Sequence, residues 1–184
     1  MRTFIAIDLD DKIKQSLSSL IQELDKVSTN IKWVKKEAMH LTLKFLGEIA
    51  LEKISEIKAV LEKICRQYDG FSLKLKGTGS FPPGKKPRVL WVGVEESSNI
   101  KSLQARIEQE LENLGFAKEK REFHPHLTLG RVKPRSHLGG VPSKLSQKKQ
   151  TDYGEMKVKK ITFFQSILKP TGAEYKIISE FELK

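Results

Sequence analysis

The chain has 184 residues and a mass of 21.0 kDa, the size of one domain or of two small lobes on a shared core. Hydrophobic residues at 38% and charged residues at 31% exclude a disordered chain, and no apolar run approaches the ~18 residues that a membrane-spanning helix needs. A formal charge of +11 favours polyanionic ligands such as RNA or DNA, with a surface charged only for solubility as the alternative.

The single cysteine, Cys65, excludes an internal disulfide, and no charged segment followed by an apolar stretch opens the chain as a secretory signal would. A cytoplasmic location is the expectation. No CxxC or HExxH spacing points to a metal centre.

In chain order, Phe4-Ile5-Ala6-Ile7 is a short apolar run of strand character. Asp10 and Asp11 are candidate helix caps, and Ile13, Leu17, Leu20, Ile21, Leu24 and Val27 follow at helical spacing. The strand His40-Leu41-Thr42-Leu43 comes next, then a helix marked by Ile54, Ile57, Val60, Leu61, Ile64 and Tyr68, then the alternating strand 71–75. Leu90-Trp91-Val92-Gly93 opens a second series. Ser97, Ser98 and Asn99 are candidate caps for a helix carrying Ile100, Leu103, Ile107, Leu111 and Leu114, with Gly115 as its C′ residue. After His126-Leu127-Thr128-Leu129, the stretch from Gly130 to Gly154 holds Pro134, Gly139, Gly140, Pro142 and many lysines and reads as a long loop. Strands return over 156–168 and 175–183.

The tetrapeptide at 40 recurs residue for residue at 126, and the same offset of 86 lays 4–7 on 90–93. The predicted fold is therefore α+β: a single bilobed domain over 1–184, built from two related halves at about 1–86 and 87–184 whose lobes are free to interleave. Each lobe is expected to be a largely antiparallel sheet with helices on its outer face, a pseudo-twofold relating the two across a central cleft. His40 and His126 would then face each other.

Strand alternation puts His40 and Thr42 on one face and Leu41 and Leu43 on the other, and the second motif repeats this with His126 and Thr128. Two imidazoles titrating near pH 6.5 can divide the work at neutral pH, the neutral one accepting a proton from water while the protonated one donates to a leaving oxygen. Threonine hydroxyls can donate to the non-bridging oxygens of a phosphate held between them. An isolated His-x-Thr in a strand usually packs or caps, but core packing gives no reason for histidine at both equivalent positions.

These residues resemble a known family. The opening 1–7, the stretch 40–47, the stretch Phe123-His124-Pro125-His126-Leu127-Thr128-Leu129-Gly130-Arg131, and between them 79–81 and 87–91, are similar to the two-histidine phosphoesterases, and within these to the RNA 2′,3′-cyclic phosphodiesterases, historically called 2′-5′ RNA ligases. The resemblance spans nearly the whole chain. It implies a bilobed fold with both motifs facing a cleft, and hydrolysis of a terminal 2′,3′-cyclic phosphate of RNA to a 2′-phosphomonoester with no metal and no nucleotide cofactor. It also implies, as the reverse of related chemistry, the joining of tRNA halves through a 2′-5′ bond. The partner would be RNA with cyclic phosphate ends, and the protein a monomer. A non-catalytic module of the same fold that binds an RNA end or nucleotide is the alternative from another class. A third reading keeps the fold with a small phosphodiester as substrate, such as ADP-ribose cyclic phosphate or 2′-5′ oligoadenylate. The symmetry of the motif leaves the order of base and acid open; our working choice is His126 as base and His40 as acid.

Other residues divide between binding and bland roles. Arg131 stands an odd step from His126, on the opposite face of an ideal strand unless Gly130 bends it, while the resemblance makes it a phosphate clamp. Lys44 shares the His40 face by parity and is a candidate RNA contact. Phe45 and Phe123 are candidates to stack on a base, with core packing as the competing role for Phe45, and His124 is a rim candidate on the His126 side. His137 is expected to be simply exposed. The basic run from Arg131 to Lys160, and the shorter 85–88, are candidate RNA-binding rims against solvated loops.

Overall fold

The computed structural model describes residues 1–28, 31–84, 86–95, 97–134, 136–170 and 172–184. The first strand, β1 (Arg2–Asp8), is apolar because both its faces are covered, and Asp10 then caps α1 (Asp11–Asp25) by accepting from the Ile13 backbone N–H at 2.8 Å. Five residues of α1 at the predicted helical spacing are buried. A three-residue strand, β2 (Ile31–Trp33), and a 3-10 turn, Lys36–Ala38, lead into β3 (His40–Glu48). Next come α2 (Lys53–Cys65) and β4 (Phe71–Phe81), which runs well beyond the expected end at Leu75.

The second series is β5 (Val89–Val94), α3 (Ser98–Glu112) and β6 (His126–Val132). Gly115 closes the end of α3 with φ +88°, as its C′ assignment requires. The stretch from Gly130 to Gly154 is not one long loop. It contains a seven-residue helix, α4 (Val141–Gln147), with Val141 and Leu145 buried one turn apart, and it occupies the position after β6 that α2 occupies after β3. The predicted strand over 156–168 is two strands, β7 (Asp152–Val158) and β8 (Lys160–Lys169), followed by β9 (Gly172–Glu182).

All pairing is antiparallel, in two sheets ordered β3-β1-β8-β9 and β2-β6-β5-β4-β7. The sheets do not divide the chain at its middle. β1 lies between β3 and the late strand β8, while β5 lies between β6 and the early strand β4, so each sheet draws strands from both halves. One continuous core runs under both sheets and the helices, and it includes Ile5, Ile7, Leu41, Leu43, Leu127 and Leu129. Phe4, Ala6 and Phe164 form a separate cluster with Tyr175, on the face of the first sheet turned away from that core. That face carries the first histidine.

Candidate active site

The leucines of both motifs are buried at 3% exposure or less, while His40, Thr42, His126 and Thr128 are each only partly buried, as alternation requires. Each imidazole is held in the same way. His40 Nδ1 lies 2.9 Å from the carbonyl of Ala38, and His126 Nδ1 lies 2.7 Å from that of His124. A carbonyl only accepts, so each Nδ1 carries the proton and donates, which leaves Nε2 as the atom free to exchange one. Neither threonine hydroxyl has a hydrogen-bond partner among the described residues.

Aromatic rings fix the other faces. Phe4 lies 4.7 Å from the His40 ring centroid, Tyr175 stands edge-on at 5.0 Å, and Phe164 is 6.1 Å away. Around His126, Phe81 stands edge-on at 5.0 Å and Trp91 lies 6.4 Å away. The Trp91 indole lies flat across Gly79, where a Cβ would come within 2.3 Å of the ring. Only glycine leaves room for it there.

A repeated irregularity decides the fate of the residues after the motifs. Thr42 pairs with Ala6 but Lys44 pairs with Ile5, so Leu43 is an extra residue in β3; likewise Thr128 pairs with Trp91 and Gly130 with Leu90, so Leu129 is extra in β6. A bulge reverses the parity of whatever follows it. Arg131 therefore returns to the face of His126 and Thr128, which removes the objection raised by an ideal strand. The same reversal corrects the placement of Lys44. It leaves the His40 face, is 4% exposed, and its ammonium sits 2.6 Å from the Glu108 carboxylate and 3.0 Å from the Ala117 carbonyl. Lys44 is a core ion pair and makes no contact with the cleft. Phe45 takes its place on the His40 face, 65% exposed and 6.0 Å from the Phe4 ring, so it is not a core residue.

β3 and β6 approach each other across the two sheets. Burial raises the Tyr175 phenol, and the positive charges of Arg131 and Arg2 oppose that rise; Arg131 also acts, after burial, to lower His126. The charge of Arg131 is thus felt both at His126 and at the tyrosine beside His40. Burial pulls the His40 imidazole down to about 4, opposed by its bond to Ala38 and by Asp8, and burial likewise lowers His126. Both rings are neutral at pH 7 without an anion nearby.

The remaining candidates separate clearly. The His124 ring is largely exposed, 3.7 Å from the Glu122 carboxylate; its carbonyl, by contrast, holds His126. Phe123 packs against the core. His137 is exposed, and in the basic run Lys144 and Lys148 are tied to Glu23 and Lys160 to Glu180, so they do not form a free rim. Lys85 and Arg135, counted in the two basic runs, lie outside the described residues. Sequence reasoning missed Tyr175, Phe164 and Asp8, and it missed Phe81 and Trp91 as walls although both lie in stretches that carried the resemblance. Among the described residues no three His, Cys, Asp or Glu side chains converge as a metal site would require, and no helix is long and apolar enough to cross a membrane.

The model of the 2′-5′ RNA ligase superfamily matches residues 10–167. The chain belongs to this superfamily. It is 37% identical over 183 residues to the RNA 2′,3′-cyclic phosphodiesterase of Archaeoglobus fulgidus, covering 99% of this chain and 100% of that one. It is 39% identical over 184 residues to the enzyme of the same name from Thermotoga maritima, covering 100% and 96%. The crystal structure of TT0787 of Thermus thermophilus superposes with a TM-score of 0.84 at 27% identity, covering 100% of this chain and 98% of that one. The two structures share one fold over nearly their whole length.

Proposed function

We propose that this protein hydrolyses 2′,3′-cyclic phosphate ends of RNA to 2′-phosphomonoesters in the cleft between His40 and His126. The observation that carries the reading is the matched pair of imidazoles, each anchored through Nδ1 and open at Nε2, with Arg131 on the His126 face. The names of the relatives, RNA 2′,3′-cyclic phosphodiesterase, support the substrate class.

In this mechanism the cyclic phosphate sits on Arg131 and accepts hydrogen bonds from the Thr42 and Thr128 hydroxyls. One imidazole takes a proton from water as the water oxygen attacks phosphorus; the other protonates the ribose 3′ oxygen as its bond to phosphorus breaks. The bound anion favours protonation of the second ring, whose resting state is neutral. With an RNA 5′-hydroxyl in place of water as the nucleophile, the same step, the ribose 3′ oxygen again leaving, joins ends such as those of tRNA halves through a 2′-5′ bond. The formal charge of +11 supports an RNA ligand, and we infer that the protein acts as a cytoplasmic monomer.

We also infer that the halves 1–86 and 87–184 are copies of one unit that exchange strands. The bulges at Leu43 and Leu129, and the anchoring carbonyls of Ala38 and His124, stand at the same offset of 86 as the motifs.

The test is incubation, in EDTA, with an RNA oligonucleotide ending in 2′,3′-cyclic phosphate. Conversion to a phosphatase-sensitive 2′-phosphomonoester supports the proposal. Tight binding with no turnover supports the non-catalytic binding module instead.

A further inference from the structure

Around Trp91, residues 76–78 in the middle of β4, the end of β5, Lys149 and the segment before β6 line a pocket of about 310 Å³. Among the described residues its lining includes Lys76, Lys101, Lys149 and His124, with Trp91 and Pro125 as apolar wall, and no carboxylate. A second cavity, between α2 and β9, mixes Lys58 and Arg66 with Glu62, Glu180 and Glu182, so of these two the first is the one suited to an anion. Lys76 has Glu95 at 3.6 Å behind it, whereas Lys149 is exposed and makes no ion pair among the described residues.

The pocket is continuous with the proposed site. Trp91 belongs to both: one part of its indole covers Gly79 beside Phe81, the other reaches Gly93, which pairs with His126. Pro125 and His124 connect the pocket directly to the catalytic imidazole by the backbone. A strand whose last phosphate lies on His126 therefore has its preceding nucleotide over Trp91 and the phosphate of that nucleotide among the lysines.

We propose that this pocket holds the internal phosphodiester upstream of the cyclic end, so that the enzyme selects oligonucleotides over cyclic mononucleotides. This rests on the function proposed above and narrows its substrate to an RNA strand. Lys149 and Lys76 supply charge to the backbone, and Trp91 offers a sequence-tolerant face to the penultimate base.

The test compares kcat/KM for 2′,3′-cyclic AMP and for a tetranucleotide ending in 2′,3′-cyclic phosphate, over a range of salt concentrations. The tetranucleotide is expected to be favoured roughly tenfold or more at low salt, with a negative salt slope that the cyclic mononucleotide lacks. In Lys149→Gln, and more so in K76Q/K149Q, the ratio of the two values is expected to fall, mainly through KM of the tetranucleotide, with the slope reduced by about one per lysine. Equal kcat/KM for both substrates, or a loss in Lys149→Gln that is the same for both, overturns the proposal. Lys149 is exposed, so this single variant reads out even if the double variant folds poorly. Absence of turnover with either substrate would instead count against the proposed function.

Discussion

The strands that begin at His40 and His126 share a backbone, an anchor and a bulge, yet what surrounds and follows them differs. His40 sits among Phe4, Phe164 and Tyr175 and is lowered to about 4, while His126 has Phe81 and Trp91 beside it. Beyond the bulge, the equivalent positions 45 and 131 hold an exposed phenylalanine and an arginine. A repeated strand pattern presents the same imidazole and hydroxyl twice. The residues that the bulge turns onto the histidine faces differ in kind, an apolar ring after one motif and a guanidinium after the other.

The most severe way to break the comparison is to remove either of its centres. His40→Ala and His126→Ala should each reduce kcat by about 10³-fold or more, with circular dichroism and melting temperature little changed. An active variant of either kind would remove the pairing. Arg131→Gln should cost about 10²-fold in kcat/KM, because it withdraws charge from a developing phosphorane, while His126 loses the part of its downward shift that Arg131 causes. Phe45→Ala, at the equivalent position, should raise KM by roughly tenfold and leave kcat nearly intact, the signature of lost stacking in place of lost charge stabilisation. If both variants act alike, the two sides are not specialised.

The bulge itself can be probed from its buried side. Lys44→Met strands the Glu108 carboxylate in the core and should destabilise the fold by about 3–5 kcal/mol in urea denaturation. Adding Glu108→Gln to that variant should restore much of the loss. No such recovery is expected if Lys44 belongs to the cleft.

The pH profile separates the two sides more gently. Both imidazoles lie below their ordinary value of 6.5, so in the free protein the form with one proton between them is populated only on the acid side of that value. Accordingly kcat/KM should peak below pH 6.5 and decline as pH rises through neutrality, since the acid loses its proton. A profile still rising between pH 7 and 8 would contradict the shifts at both rings.

Much of this was legible in the amino-acid sequence because period-two alternation is a local property. Leu41 and Leu43 against His40 and Thr42 needed only the strand to be recognised, and the repetition at 126 singled out the pair. The bulges were not legible: Leu43 and Leu129 look like any buried strand leucines, and the extra residue exists only relative to β1 and β5. That one unseen feature explains both errors of facing, at Lys44 and at Arg131. β2 and α4 are too short for periodicity to register, and the break at Lys159 that sends β7 and β8 to different sheets leaves no mark in an apolar pattern. The walls at Phe164 and Tyr175 come from the far end of the chain, brought beside β1 and His40 by the strand exchange.

The central claim is that both imidazoles meet the same phosphate. Titrating protein labelled with ¹⁵N-histidine with the 2′-phosphomonoester product, and following the ring nitrogens by NMR, tests it directly. Both His40 and His126 should shift together with one saturation curve, each retaining a protonated Nδ1 and each gaining affinity for a proton at Nε2. A response at one ring only, or two independent curves, would show that the histidines do not share a site.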